Sequence, residues 1–177
     1  MTGPAPISPA AARALADLLT YPSPGLADRA RAATAGLPPS VACPALRCAD
    51  ALAALGQGAA EELYTATFDL RPAVSPYLGL HLCGEGPRRN ALLAYLAGAY
   101  AEAGHAAGPE LPDHVAEVLG FLANAGGSDL ARELAAEALR PAALRMLAAL
   151  PAENPYRGAL EALLDALGAD RTGEVPP

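Results

Sequence analysis

The scarcity of β-branched apolar residues is the feature that most restricts how this chain can fold. The sequence holds one isoleucine, Ile7, and only a handful of valines, while alanine and leucine dominate a composition that is 53% hydrophobic and 5% aromatic. Alanine and leucine are strong helix formers, whereas strands favour β-branched and aromatic side chains. The chain is therefore predicted to be all-α.

Apolar periodicity and capping residues divide the chain into about seven helices. Ser8 and Ser128 are predicted N-caps, and Ser8 is followed by a proline, which suits the first position of a helix. Asn154-Pro155 shows the same combination of cap and proline. Packing helix on helix predicts one bundle domain over residues 1–177, with a core of about 8–168 and a loose tail at 169–177. The expected helices follow Ser8, cover about 26–36, 45–69, 88–103 and 112–124, and follow Ser128 and Asn154; 37–44 is expected to be a linker loop and 71–87 a loop-rich crossing.

The charge balance argues against two kinds of partner. The net charge is −7, and the twelve basic residues, all arginine, are scattered rather than gathered into the basic patch of a nucleic-acid binder. No apolar stretch is long enough for a membrane span, and the N-terminus lacks the pattern of a secretory signal. We expect a cytoplasmic protein that binds no nucleic acid and does not insert into membranes.

The cysteines do not predict a metal centre or a disulfide framework. Cys43, Cys48 and Cys83 are an odd number, and no second pair follows the first two. His81 stands near Cys83, but a zinc site needs about four converging ligands. We expect no metal, no structural disulfide and no bound cofactor.

Motifs of familiar catalytic chemistries are missing from the sequence. A phosphate-binding loop of the Walker type needs a lysine, and the chain has none. Neither the Gly-x-Ser-x-Gly elbow of hydrolases nor the His-Glu-x-x-His motif of zinc proteases occurs. The sequence therefore favours a protein that is not an enzyme.

The stretch "ELPDHVAEVLGFLA" (110–123) is the most informative segment of the chain. Pro112 suits the first position of a helix and Asp113 its positive end. Asp113, His114 and Glu117 are expected on the surface of the first turns, where they serve as a helix cap, as a binding surface, or as catalytic groups with His114 the general base. The apolar stripe of this helix is expected to enter the core and consists of Val115, Val118, Leu119 and Leu122.

Two further apolar groups have open roles. Tyr64 and Phe68 are four residues apart, share a helix face, and are more typical of a core than of a site. The run "YLGLHL" (77–82) lies in the loop-rich crossing, where it is either tucked into the core or exposed as a docking strip.

Taken together, several motifs resemble the NarJ/TorD family of cytoplasmic chaperones for molybdenum enzymes. "ELPDHVAEVLGFLA" is similar to the family's Pro-Asp-His helix, and "YTATFDL" (64–70) to its Tyr-x-x-x-Phe-Asp segment. "HLCGEGPRR" (81–89) resembles the Gly-Glu-Ser stretch of the NarJ branch, with Gly86 in place of the serine. "YAEAG" (100–104) and "ENPYRGALEALLDAL" (153–167) complete an ordered set. The branch is closest to NarJ, although "VSPYLG" is nearer to the TorD side.

The resemblance implies a TorD-like helical bundle that acts as a dedicated chaperone. Such proteins bind the N-terminal peptide of the catalytic subunit of a molybdoenzyme, here of the nitrate reductase type, and assist insertion of the molybdenum cofactor. Proteins of molybdenum cofactor biosynthesis are further expected partners. The residues that the resemblance assigns to client binding are Tyr64, Phe68, Asp69, His81, Glu85, Arg89, Asp113, His114 and Glu117.

Three other functions remain open at this point. The client could be another molybdoenzyme of the dimethyl-sulfoxide-reductase type. The chain could instead be a weak nucleotide-binding hydrolase, against which the missing phosphate loop counts. Finally, it could be a structural subunit that stays in the mature enzyme.

Overall fold

The computed structural model describes residues 6–168, and helices make up the regular structure of this part of the chain. No β-strand forms within it, so the all-α prediction is confirmed. None of its helices is both long enough and apolar enough to cross a lipid bilayer. The tail expected at 169–177 lies outside the described residues. The α-helices are α1 (Pro9–Leu18), α2 (Leu26–Thr34), α3 (Pro39–Leu55), α4 (Gln57–Tyr64), α5 (Leu78–Cys83), α6 (Pro87–Glu102), α7 (Val115–Ala125), α8 (Asp129–Glu133), α9 (Arg140–Ala149) and α10 (Tyr156–Ala166).

The core lies where α3 packs along α10 and where α1 packs against α2 and α7. Small side chains let the backbones of α3 and α10 come close together. A Cβ atom at Gly158 of α10 would lie only 2.4 Å from the carbonyl oxygen of Pro44 in α3. Leucines fill the remaining space, and those with no exposed surface include Leu15, Leu18, Leu119, Leu122, Leu160, Leu163 and Leu164.

The linker loop expected at 37–44 is wrong, because α3 already begins at Pro39. A proline at the first helical position costs no hydrogen bond. Pro44 lies one turn further on, where its missing N–H deprives the helix of only one bond. Burial of Val41 and Ala45 on the same helix offsets that loss.

The long helix expected at 45–69 is two helices. Gly56 separates α3 from α4 and has a φ of 82°, a left-handed conformation that favours glycine. After Tyr64 the backbone continues as a π-helical turn, Thr65–Asp69. A second π-helical turn, Leu134–Leu139, joins α8 to α9, so Pro141 follows a widened turn and does not end the helix.

The crossing at 71–87 contains more helix than its prolines and glycines suggested. A 3-10 turn, Pro72–Val74, is followed by α5. This short helix, the break at Gly56 and the π-helical turn between α8 and α9 explain why the helices outnumber the seven expected.

The predicted caps Ser8 and Ser128 are confirmed, whereas the N-cap of α10 is Pro155, one residue after the predicted Asn154. The Ser8 hydroxyl accepts a hydrogen bond from the Ala11 N–H, and the Ser128 hydroxyl accepts one from Ala131, each at 3.2 Å. The side-chain oxygen of Asn154 accepts the N–H of Tyr156 at 3.0 Å. These side chains satisfy N–H groups that have no partner within the helix.

Candidate functional site

The segment that leads into α5 is hydrogen-bonded to the start of α7, and we call this pairing of residues 76–79 with residues 113–115 the clamp. Val115 N–H donates to the Pro76 carbonyl, and Leu78 N–H donates to the Asp113 carbonyl, both at 2.8 Å. Tyr77 and His114 thus face each other in an isolated antiparallel bridge. This pairing lies between residues far apart in sequence, and it determines which way the side chains at the helix start are directed.

Helix α7 begins three residues later than the sequence predicted. His114, rather than a residue before Pro112, is the N-cap, and Val115 is the first helical residue. The expected core stripe is confirmed, because Val115, Val118, Leu119 and Leu122 are all buried.

Asp113 is fully buried, which contradicts its expected place on the surface. Its carboxylate forms a two-bond ion pair with Arg89 of α6, with Nε–Oδ2 at 2.9 Å and Nη2–Oδ1 at 3.2 Å. The N–H of Gly79 in α5 donates to Oδ2 at 3.2 Å. Asp113 therefore joins the starts of α5, α6 and α7, and the ion pair raises the pKa of Arg89.

His114 is buried as well and has both ring nitrogens engaged. Nδ1 accepts the N–H of Ala116 at 3.1 Å, so the neutral ring carries its proton on Nε2, which lies 3.4 Å from the Tyr64 hydroxyl. Burial lowers the pKa of His114, and nearby carboxylates oppose that shift only in part. A ring held in this way caps the helix and belongs to the buried interior.

Glu117, also expected on the surface, is directed inward and buried. Its carboxylate accepts the N–H of Gly108 at 2.9 Å, which ties down the loop before α7. Asp113, His114 and Glu117 are all buried, because other parts of the chain supply hydrogen-bond partners that their sequence neighbours do not.

Tyr64 and Phe68 are core residues, as their spacing suggested. Their rings lie 4.9 Å apart and both pack against Tyr156, while Tyr64 also contacts Tyr21 at a centroid distance of 5.4 Å. Burial is the main reason that the pKa of Tyr64 lies well above its ordinary value. Tyr21 is half exposed, so this aromatic cluster reaches the surface at one point.

The run at 77–82 begins in the clamp and continues through α5 to His81, and Glu85 follows that helix. His81 Nε2 is 2.7 Å from the Ser75 carbonyl, and its own carbonyl accepts a hydrogen bond from Arg145 of α9. Burial lowers the pKa of His81. The run is mixed, with Leu78 buried and Leu82 exposed, and Glu85 lies exposed before α6.

The solvent-facing part of the site is an acidic rim, which we define as Tyr21, Asp69, Leu70, Glu110 and Leu111. Leu70 is 71% exposed, and Leu111 and Tyr21 are 45% and 47% exposed. Glu110 accepts a hydrogen bond from the Tyr77 hydroxyl at 3.0 Å. Burial, this bond and the charges of Glu110 and Asp69 raise the pKa of Tyr77 to about 12.

Among the rim residues, only Asp69 is a site residue predicted from the sequence. A signal was present, since Asp69-Leu70 and Glu110-Leu111 are both an acid followed by a leucine at the edge of a helical pattern. Nothing in the local sequence shows that the charges of Asp69 and Glu110 act on the same tyrosine, Tyr77.

Within residues 6–168, no group of three or more His, Cys, Asp or Glu side chains is placed so that it could hold a metal ion. Cys43 is exposed, Cys83 is half-buried and Cys48 is buried in the core. Burial raises the pKa of the Cys48 thiol to about 12, which keeps it protonated and unreactive.

The site thus consists of buried, hydrogen-bonded polar residues at the start of α7 and of carboxylates and exposed leucines on the surface nearby. A sequence model of the nitrate reductase delta subunit family matches residues 34–162, well over half of the chain. The chain belongs to this family. Its members are the NarJ/TorD-type chaperones that the motifs resemble, and membership supports a chaperone role in nitrate reductase maturation. The search of curated proteins returned no match.

Proposed function

We propose that this chain is a cytoplasmic chaperone that binds the N-terminal peptide of the nitrate reductase catalytic subunit and assists insertion of its molybdenum cofactor. The observation that carries the proposal is the acidic rim. It combines exposed leucines and a tyrosine with two carboxylates, and each leucine directly follows one of the carboxylates in the chain. This combination suits a peptide with one apolar and one basic face.

Charge supports the same partner. The chain has a net charge of −7, which attracts a basic peptide and speeds its encounter. Asp69 and Glu110 then provide carboxylates at the place where the apolar contacts form. Charged groups at such a rim contribute specificity and association rate more than affinity.

The buried residues assigned by resemblance support the rim from below. Asp113 and Arg89 join three helix starts, and His114 links Tyr64 to the start of α7. A rim fixed by such contacts loses little conformational entropy when a peptide binds. We therefore propose that these residues act on the client through the rim, with Asp69 the assigned residue that touches it.

The proposal is tested by calorimetric titration with a synthetic peptide from the N-terminus of the catalytic subunit. We expect a dissociation constant of about 1 μM or tighter, or about −8 kcal/mol. The double variant Asp69→Asn/Glu110→Gln keeps the shape of the rim but removes two charges, and we expect about tenfold weaker binding. Wild-type affinity should also fall as salt is raised.

The matched control is Glu133→Gln/Glu137→Gln, which removes two exposed charges near the α8–α9 junction. It should change affinity less than about twofold, since only long-range attraction is lost. Equal losses in both double variants would show that net charge alone matters. No binding by the wild-type protein would overturn the peptide-binding function itself.

A further inference from the structure

Helix α6 exposes one complete face that consists mostly of small side chains. The helix packs chiefly against α5 and buries Leu96 and Tyr100. The opposite face carries no charge from residue 90 to residue 101, and small residues such as Ala94 and Gly98 line it. Tyr95 projects from the middle of this face and is 58% exposed.

Three residues of this face repeat at an interval of seven. Arg88, Tyr95 and Glu102 fall on one stripe, because seven residues make nearly two helical turns. Tyr95 is the midpoint between the two charges. Neither Arg88 nor Glu102 has an ion-pair partner within residues 6–168.

The two charges are at the wrong ends of their own helix. Arg88 lies at the N-terminus of α6, where the helix dipole disfavours a cation, and Glu102 is the last residue, where it disfavours an anion. A second α6 running antiparallel across Tyr95 would reverse both relations. Each arginine would then lie beside the glutamate and the C-terminal end of the other helix.

A groove beside the stripe has room for an aromatic side chain. It lies between α6 and the α7–α8 corner and has a volume of about 690 Å³. Its lining includes Tyr95 and Glu102 of the stripe as well as Gly98, Phe121 and Leu130. Small residues on α6 allow two helices to approach closely. A tyrosine from a facing helix would bury its ring here and keep its hydroxyl at the edge.

We propose that a second copy of this chain docks on α6 in antiparallel orientation, with the two-fold axis at Tyr95. The interface is self-complementary, as a two-fold dimer requires. Tyr95 of each copy enters the groove of the other, and two Arg88–Glu102 pairs close the ends. One helix face is a small interface, so the dimer dissociates in the micromolar range. The proposal does not depend on peptide binding.

Sedimentation velocity of the full chain, from about 1 to 500 μM at about 0.15 M salt, tests the proposal. Arg88→Glu and Glu102→Arg each turn two attractions into two repulsions, and each should raise the dimer dissociation constant about tenfold or more. The double variant Arg88→Glu/Glu102→Arg restores both pairs in exchanged form. It should dimerise far better than either single variant, although its helix dipole relations are now reversed.

Arg140→Glu, at an exposed position on α9, is the matched control and should dimerise like the wild type. Circular dichroism confirms that each variant is folded. A wild-type protein that stays monomeric throughout the concentration range would overturn the proposal. So would charge reversals that leave dimerisation unchanged, or a Tyr95→Ala variant that dimerises normally but no longer binds the client peptide, since the face would then belong to the client.

Discussion

Asp113 is a charge that the protein can keep buried only because donors from two other helices surround it. Its carboxylate has no exposed surface and receives three hydrogen bonds, two from Arg89 and one from Gly79. Breaking a buried pair at one end costs more than removing both ends, because a lone charge is left without solvent.

We expect Arg89→Met to lower the free energy of unfolding by about 3 kcal/mol or more, since Asp113 then loses its counter-charge. The double variant Arg89→Met/Asp113→Asn should recover part of this loss. Urea unfolding of the three proteins measures the difference. A double variant less stable than the single variant would show that the pair is not the main reason for the loss.

Gly79 provides a steric test of the same clamp. A Cβ atom there would lie 2.6 Å from Oδ2 of Asp113 and 3.0 Å from Cγ of Arg89. We expect Gly79→Ala to push the ion pair apart and lower the free energy of unfolding by about 1–3 kcal/mol, as measured in urea. Unchanged stability would mean that the side chains of Asp113 and Arg89 can move aside without loss.

Among the helices, the α3–α10 pair depends most on small residues. Contact is closest where Gly158 meets the Pro44 carbonyl oxygen, and Cys48 packs beside them. Backbone atoms cannot move aside as a flexible side chain can, so any added atom must separate the two helices.

Gly158→Ala should therefore lower the melting temperature, with a loss of about 1–3 kcal/mol in the free energy of unfolding. Gly58→Ala is the matched control, because a Cβ atom there meets nothing within 4 Å. Alanine is the better helix former, so that variant should be as stable as the wild type or slightly more stable. Equal behaviour of both variants in thermal melting would contradict the close-packed interface.

The free energy of unfolding of the whole molecule should depend on pH, because the imidazole of His114 is buried. Burial lowers the pKa of His114 in the folded state, whereas the unfolded chain has an ordinary value of about 6.5. As pH falls below that value the unfolded state takes up a proton that the folded state does not, so folding is weakened. The carboxylates that act on the ring from neighbouring positions reduce the shift but do not reverse it: Glu110, Glu117, Asp113 and Asp69.

We expect the free energy of unfolding to fall between about pH 7.5 and pH 5.5. His114→Asn keeps an N-cap side chain but removes the titrating ring, so its pH dependence should be weaker. Some dependence should remain, since the pKa of His81 is lowered too. Urea unfolding at several pH values gives both slopes, and identical slopes would show that His114 does not contribute.

The sequence alone determined the properties that depend on neighbours along the chain. Its composition predicted an all-helical fold, and its periodicity predicted the buried stripe from Val115 to Leu122. Ser8 and Ser128 marked the starts of the helices that they cap. These signals are local because a helix repeats every 3.6 residues and its first N–H groups need nearby acceptors. Family motifs added the expected client.

Tertiary structure decided which side chains are covered. Local sequence placed Asp113 and His114 on the surface, but pairing with residues 76–78 and the reach of Arg89 enclosed both. It likewise brought Asp69 and Glu110, 41 positions apart in the sequence, close enough for both charges to act on the Tyr77 hydroxyl. A buried charge is tolerated only where donors from other elements converge on it, and such convergence has no signature in the order of neighbouring residues.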